Sequence, residues 1–511
     1  MKISQVKISN FRSYQDEVTV DFCNLTAFVG KNDVGKSTIL EALDIFFNEN
    51  KGAVKLDRED INKKGLAKGD EDISITVIFE DLPASLIIDT SNETSLLDEY
   101  LLNKNKKLEI VKKYPKAKGE KVSVRARHPL NPECADLLLK KQKELLEILK
   151  KDSIACSDEK KNAVMRKAIW SHYSNELELG DVEIDVSKID TKNLWVELKK
   201  YMPLYTLFQS DRKNSDGDNE IQDPMKLAVN EILKDDTIQQ SLLSVATEVE
   251  SKLKDVANRT LDKLNEINPE IANSLNPIIP SADSLKWADV FKSVSISGDE
   301  GIRINKRGSG VKRLILLNFF RAEAERRRNQ ANVPSIIYAI EEPETAQHPD
   351  HQKKLIDAFI ELSNSPHNQI VLTTHSPAIV KMLKFENLKL VKSVGCEKIV
   401  NVEKHDLPYP SLNEVNFLAF SESDDGYHNE LYGFIESENW LNDFKRGRPQ
   451  KQYIVSDKKG ASAKEWQVTL SQFIRHQIHH PENKLNERFL SGDLQQSISD
   501  MRNFIKEKQN L

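Results

Sequence analysis

The segment LTAFVGKNDVGKST, residues 25–38, constrains the fold of this chain more than any other stretch. Its apolar first half predicts a buried β-strand, and the pattern STILEALDIFF after Lys36 predicts a helix. Between them, Gly30, Gly35, Lys36 and Ser37 match the spacing G-x-x-x-x-G-K-[ST]. A strand that leads through this loop into a helix is the context that a phosphate-binding P-loop requires, so the sequence predicts an α/β fold with a nucleotide site.

The residue types of this loop indicate the chemistry of the ligand. Glycines let successive backbone N–H groups turn towards phosphate oxygens, and the start of the helix adds its positive end. Lys36 supplies a charge for the β- and γ-phosphates, and Ser37 offers a hydroxyl to Mg²⁺. Asn32 and Thr38 complete the residues that we expect to bind nucleotide. The loop therefore predicts ATP and Mg²⁺ as ligands.

A pair of carboxylates follows a second buried strand. The apolar run 336–340 leads directly into Glu341 and Glu342, and the chain turns at Pro343. A strand end beside a phosphate loop is where a Mg²⁺ partner and a base for water belong. We expect Glu341 to hold the metal and Glu342 to orient or deprotonate the attacking water. The alternative is a solvated acidic turn without function.

Two further polar sites complete the predicted set. The apolar strand IVLTTH ends at His375, which suits a contact to the γ-phosphate, although a single histidine is more often a satisfied structural residue. Ser309 and Gly310 precede a strongly apolar helix, whose N–H groups could bind an anion together with the serine hydroxyl. The alternative for Ser309 is an ordinary helix cap.

The 511 residues exceed one ordinary core, so we expect roughly two to four domains. Long charged helical patterns interrupt the strand-rich segments, which indicates an inserted arm; the alternative is helical packing against the head. The predicted domains are the first half of a head (1–130), a helical arm or lobe (131–279), the second half of the head (280–404) and a helical C-terminal domain (405–511).

The order of these motifs resembles the ABC-type ATPase heads, within them the RecF/SMC-like and overcoming-lysogenisation-defect (OLD) branch. The stretches NFRSYQDEVTVDF, FVGKNDVGKST, EEPETAQHP and TTHSPAIV carry the resemblance. It implies that two copies sandwich two ATP molecules, with Ser309 and Gly310 of one copy completing the Lys36 site of the other, in a homodimer or higher homo-oligomer. The sequence RGSGVKR and Glu341, where the wider family has aspartate, depart from the common pattern and imply slow turnover.

The resemblance extends to the ATPase subunits of bacterial anti-phage systems such as Septu and PARIS. It implies an ATP-hydrolysing sensor or scaffold that controls a separate nuclease or toxin effector. The block after residue 404 lacks the acidic pattern of the Toprim nuclease domain that OLD nucleases carry. A DNA-repair ATPase of the RecF/SMC-like kind is an alternative function.

The predicted C-terminal domain has its own short motif. Helical patterns over residues 427–440, 466–480 and 494–505 predict a small all-α bundle, and Arg475 and His480 are separated by four residues. This arrangement resembles the HEPN domains, many of which are ribonucleases in which arginine and histidine face the scissile phosphate. A self-contained ATP-gated ribonuclease is therefore one alternative, and an inert docking or dimerisation domain is another.

The net charge and the hydropathy of the chain narrow the kinds of binding partner that we expect. The net charge of −6 does not indicate nucleic acid, so such a contact would be a local patch. The run 104–127 holds ten Lys or Arg residues and is either a solvated edge strand or a nucleic-acid surface. No stretch approaches the roughly 18 apolar residues that span a bilayer, and we expect a cytoplasmic protein without a membrane contact.

Overall fold

The structure is a computed structural model. It describes residues 1–49, 51–89, 92–186, 192–209, 232–233, 235–267, 335–345, 348–394, 397–400, 407–455 and 464–509. Ser309, Gly310 and the helix predicted to follow them lie outside the described residues.

The strands are, in chain order, β1 (Lys2–Ser9), β2 (Val18–Asp21), β3 (Leu25–Val29), β4 (Asp72–Glu80), β5 (Leu86–Asp89), β6 (Asn92–Thr94), β7 (Leu108–Pro115), β8 (Lys121–Pro129), β9 (Leu179–Asp185), β10 (Leu204–Phe208), β11 (Ile336–Glu341), β12 (Asn368–Thr374), β13 (Leu388–Val394), β14 (Glu397–Val400), β15 (Gln450–Val455) and β16 (Lys464–Thr469). The α-helices are α1 (Lys36–Asn48), α2 (Lys63–Ala67), α3 (Gln142–Lys151), α4 (Asn162–His172), α5 (Lys192–Tyr201), α6 (Asp236–Ile267), α7 (Pro349–Ser363), α8 (Pro377–Val380), α9 (Leu412–Phe420), α10 (Asp425–Ser437), α11 (Leu441–Lys445), α12 (Leu470–His479) and α13 (Ser491–Gln509).

A largely parallel sheet carries the predicted P-loop strand at its centre. Its order is β10-β11-β12-β3-β13-β14, and β3 pairs in parallel with both β12 and β13. Every residue of β3, β11 and β12 is buried. Strands covered on both faces need continuous apolar runs, which is why these three segments do not alternate. The predicted buried strands and the helix beginning at Lys36 are confirmed.

A second, antiparallel sheet has the order β2-β1-β4-β7-β8-β9. The predicted hairpin is present as β7 and β8, but β8 also pairs with β9. The basic run 104–127 is therefore not an edge strand, and that interpretation was wrong. Several of its cations are instead paired across the sheet: Arg125 contacts Glu109 at 3.1 Å, and Lys113 contacts Glu183 at 2.9 Å.

The chain divides into two compact units. The first comprises Met1–Leu207, Ser335–Thr345 and Gln352–Leu511, and the second comprises Phe208–Pro334 and Ala346–His351. The segment predicted as a helical arm, 131–279, contains α3 to α6 but also two strands: β9 extends the antiparallel sheet, and β10 belongs to the sheet of the P-loop strand. Its α6 is 32 residues long. The domain boundaries proposed from the sequence stay predictions.

The C-terminal region is largely helical, with one correction to the predicted all-α domain. Helices α10, α12 and α13 share an apolar core that includes Leu431, Ile474 and Ile498. However, the helix predicted from Trp466 begins at Leu470, and the preceding residues form β16, which pairs with β15 as a hairpin. Thr469 caps the helix through Gln472, which explains why the helix begins there. No helix among the described residues is both long and apolar enough to cross a membrane.

Candidate active site

The loop between β3 and α1 depends on its two glycines. A Cβ atom at Gly30 would lie 2.4 Å from the Val391 carbonyl oxygen. Gly35 has φ +102°, and a Cβ there would lie 2.8 Å from Ser13 Oγ. The Tyr14 hydroxyl donates a hydrogen bond of 3.0 Å to the Gly35 carbonyl. Only glycine fits these positions without strain, so the loop can hold its backbone close to neighbouring chain segments and to a ligand.

Lys36 is held inside this loop. Its Nζ donates hydrogen bonds to the carbonyl oxygens of Gly30, at 2.8 Å, and Lys31, at 2.7 Å. Burial lowers the pKa of the Lys36 ammonium. Nearby carboxylates, those of Glu342, Glu344 and Asp33, oppose this shift of the Lys36 pKa. The lysine therefore faces the acidic residues that follow β11.

Strand register explains why these distant residues meet. Thr373 pairs with Phe28 on one side and with Glu341 on the other, so the three residues form one row across β3, β12 and β11. The chain leaves all three parallel strands just beyond this row. The P-loop, Glu342 and His375 consequently share the carboxyl edge of the sheet, where ligands bind in open α/β sheets.

Glu342 occupies a left-handed backbone conformation, with φ 41°. Its N–H donates to the Thr373 carbonyl oxygen at 3.1 Å and lies 3.2 Å from Thr373 Oγ1. Its Oε1 is 3.1 Å from His375 Nδ1. A non-glycine residue in this conformation carries a cost of order 1–3 kcal/mol, which surrounding contacts must offset. Such strain is typical of residues whose side chains are aimed for function.

A third carboxylate, Glu344, was missed by the sequence analysis. Its Oε1 accepts hydrogen bonds from Thr374 Oγ1, at 2.7 Å, and from the His375 N–H, at 3.0 Å. The same oxygen is 3.5 Å from His375 Nδ1. Glu344 is 6% exposed, and its Oε2 has no hydrogen-bond partner among the described residues. The Pro343 turn, which returns the chain towards β12, is the signal that could have indicated it.

The donor set fits a hydrated Mg²⁺ ion. Glu341 ends β11 and is 8% exposed, and Glu344 Oε2 is a buried oxygen without a hydrogen-bond partner among the described residues. Among the described residues, no group of three or more His, Cys, Asp or Glu forms a metal site of its own. Mg²⁺ usually keeps waters and combines one or two protein oxygens with substrate phosphates, so the predicted ligands Ser37 and Glu341 would suffice.

A family model described as "AAA ATPase domain" matches residues 1–380. The chain belongs to this AAA ATPase domain family. The match covers β1 to β12, the P-loop and the carboxylates after β11. It confirms the ATPase class that the motif order predicted.

Two curated relatives of this ATPase-domain protein are nucleases. The OLD nuclease of Thermus scotoductus is 26% identical over 170 residues, which is 33% of this chain and 29% of that protein. Endonuclease GajA of Bacillus cereus (strain VD045) is 22% identical over 409 residues, which is 78% of this chain and 59% of that protein. The first relative supports the predicted OLD resemblance. The chain spans less than two thirds of the length of either relative.

Solved structures of SMC heads are also similar. An SMC head bound to the C-winged helix domain of ScpA has a TM-score of 0.34 and 14% identity, covering 78% of this chain and 97% of that chain. The SMC head domain from Thermotoga maritima has a TM-score of 0.32 and 13% identity, covering 79% of this chain and 100% of that chain.

Of the remaining residues predicted to bind nucleotide, the structure describes three. Asn32 is exposed in the loop, Ser37 is half-buried in the first turn of α1, and Thr38 is buried. Ser309 and Gly310 lie outside the described residues. The roles proposed for these five residues stay predictions.

Arg475 and His480 have different surroundings in the C-terminal region. The Arg475 guanidinium lies 4.3 Å from the Tyr432 ring centroid, and its Nη2 is 3.1 Å from Glu436 Oε2. His480 lies just beyond the end of α12, with Nδ1 3.3 Å from Glu482 Oε1. Arg475 thus contacts α10, whereas His480 contacts the segment after α12. The HEPN resemblance and a ribonuclease role for this pair stay predictions.

Proposed function

We propose that this protein binds and hydrolyses ATP at the carboxyl edge of its parallel sheet, and that this cycle controls a nuclease or toxin effector in anti-phage defence. One observation carries the hydrolytic part. The Glu342 and Glu344 carboxylates both contact His375 and both lie close enough to Lys36 to oppose the burial of its charge. A lysine that can bind phosphate and a carboxylate that can orient water therefore lie at the same edge of the parallel sheet.

Different residues of the chain bind the phosphates and activate the attacking water. On ATP binding, Lys36 exchanges the Gly30 and Lys31 carbonyl oxygens for oxygens of the β- and γ-phosphates. Glu342 orients the attacking water and accepts its proton. His375, whose backbone N–H and ring Nδ1 both lie against Glu344 Oε1, contacts the γ-phosphate. Ser37 and Glu341 would hold Mg²⁺, which would supply positive charge against the phosphate oxygens.

Hydrolysis requires two copies of the chain in this proposal. Ser309 and Gly310 of one copy complete the Lys36 site of the other, which gives two composite sites in a homodimer. The support is the resemblance to ABC-type ATPase heads together with family membership over residues 1–380. An assembly of this kind opens and closes with the nucleotide state, which is how ATP could gate a partner.

Mixing two inactive variants tests the composite site. Lys36→Ala and Ser309→Ala each remove one half of both sites. In a mixed dimer one site lacks both groups and the other retains both, so the mixture should regain phosphate release from ATP. If the mixture stays inactive while mass measurements show mixed dimers, the two groups do not act in trans. If the wild-type protein releases no phosphate from ATP with Mg²⁺, the hydrolytic proposal itself is wrong.

Control of an effector rests on the relatives. An OLD nuclease and Endonuclease GajA share sequence with this chain, and both are longer than the matched part. We infer that a nuclease or toxin subunit works with this ATPase domain, as the resemblance to ATPase subunits of anti-phage systems implies. Purification from the native operon with mass determination should recover such a subunit. Recovery of the chain alone, with sensitivity to DNA damage on deletion and no phage phenotype, would instead favour a repair ATPase.

A further inference from the structure

A row of aromatic rings runs from the hairpin β15–β16 onto helix α12. Tyr453 and Trp466 are paired across the two strands, so their side chains share one face of the hairpin. The His476 ring centroid lies 5.0 Å from that of Tyr453 and 5.9 Å from that of Trp466. One helical turn later, His480 lies 6.5 Å from His476 with nearly parallel rings. These four residues are called the aromatic row below.

The row is anchored on one side and open on the other. Tyr453 is 3% exposed and packs with Val468 and Phe473 in a small core. Trp466 is 46% exposed, and the His480 side chain is 56% exposed. Large aromatic faces that remain open beside a rigid support are typical of binding surfaces, because they lose little conformational entropy on contact.

Basic residues lie on both elements that carry the row. Arg475 precedes His476 on α12, and Lys464 begins β16, two residues before Trp466. Burial, followed by nearby basic groups that include Arg475 and Lys445, lowers the pKa of His476. The carboxylates found nearby are engaged locally: Glu436 with Arg475, and Glu482 with His480. The exposed neighbours of Trp466 on β16, namely Lys464, Glu465 and Gln467, are polar. The row is thus an aromatic surface flanked by basic side chains, the combination that single-stranded nucleic acid binds through stacked bases and attracted phosphates.

We propose that the aromatic row binds single-stranded nucleic acid, with unpaired bases stacked on Trp466 and His480 and the phosphates attracted by the cations around His476. Every base has a flat face, so aromatic platforms bind single strands with little sequence preference, at about 1–3 kcal/mol per stacked base. Base pairs in a duplex hide these faces. The surface should therefore prefer single strands to duplexes.

Fluorescence anisotropy of labelled oligonucleotides tests the proposal on the full chain. The probes are oligo(dT) and oligo(U) of about 15 nucleotides, with a duplex of the same length, at roughly 50 mM salt without ATP. Wild-type protein should bind the single strands more tightly than the duplex. Trp466→Ala should weaken single-strand binding by about 5- to 150-fold, the loss of one stacked base. Trp466→Phe should keep most of the affinity because it keeps a ring.

Controls separate stacking from folding. Leu490→Ala removes another exposed apolar side chain, 73% exposed, and should leave binding unchanged. His480→Ala, outside the hairpin, should weaken binding without altering β15–β16. The proposal is overturned if wild-type protein binds no oligonucleotide, if it prefers the duplex, or if Trp466→Ala and His480→Ala both bind like wild type. A protein partner lost with Trp466→Ala, without any oligonucleotide binding, would also overturn it. Tighter binding of oligo(U) than oligo(dT) assigns RNA, and the reverse assigns DNA.

Discussion

The strand-edge site and the aromatic row arrange their side chains by different means. At the strand edge, Lys36 is 306 residues before Glu342, and His375 is 33 residues after Glu342. The three residues meet because β3, β12 and β11 share one register. In the row, Trp466, His476 and His480 are local neighbours, placed by one hairpin and one helix. The first site combines a buried lysine with partly exposed carboxylate and imidazole side chains, and the second is an open aromatic surface. Substitutions at the strand edge should therefore change ATP binding and hydrolysis, whereas substitutions in the aromatic row should change nucleic-acid binding alone.

The largest effect is expected from Lys36→Ala. This change removes the phosphate-binding ammonium and leaves the Gly30 and Lys31 carbonyl oxygens without their donor. We expect ATP binding, measured with a fluorescent nucleotide, to fall below detection. Lys55→Ala, at an exposed position outside the loop, is the control and should bind like wild type. If Lys36→Ala keeps its affinity for ATP, the strand edge is not the nucleotide site.

Glu342→Gln should separate binding from hydrolysis. The amide keeps the shape of the side chain but cannot accept a proton from water. We expect ATP affinity close to wild type and a loss of about 10²–10³ in kcat, the usual cost of a group that stabilises the transition state. Phosphate release under saturating ATP measures kcat. Equal losses in affinity and kcat would mean that Glu342 mainly supports the fold of the loop.

A buried histidine provides a test of the C-terminal core beneath the row. His428 is fully buried on α10, its Nε2 is 3.0 Å from Ser497 Oγ, and burial together with Arg475 lowers its pKa to about 4. The unfolded histidine titrates near 6.5, so between these values the unfolded state binds more protons. Stability is therefore intact above pH 6.5 and falls by about 3 kcal/mol as the pH drops through 4.

Hydrogen exchange of α10 and α13 peptides at pH 7, 5.5 and 4.5, corrected for intrinsic rates, measures this dependence. Wild-type protein should lose protection in the C-terminal region as the pH falls. His428→Gln cannot titrate and should show a flatter dependence, although its protection at pH 7 is lower. An unchanged slope in His428→Gln would assign the acid sensitivity to other groups.

The two regions also differ in how far the sequence could predict them. The P-loop, the strands that lead to Glu341 and His375, and α1 were predictable because buried parallel strands leave continuous apolar runs. Glu344 was not, because only the turn after Glu342 returns it to Thr374 and His375. The hairpin was mistaken for helix because WQVT is too short to show a two-residue period, and the helical pattern after it dominates the window.

We expect the smallest effect from Glu344→Gln. This variant is also the sharpest test of the strand-edge site. The glutamine retains an oxygen that can accept from Thr374 Oγ1 and the His375 N–H, but it loses the negative charge beside His375. A hydrogen bond to a charged group contributes about 1.5–3 kcal/mol, and only part of that is lost here, so we expect roughly a tenfold lower kcat with KM unchanged. Glu344→Ala removes the whole carboxylate and should lower kcat further. Glu386→Gln, at an exposed surface pair, is the matched control. If KM rises and kcat does not fall, Glu344 acts on nucleotide binding, and the proposed positioning of His375 is wrong.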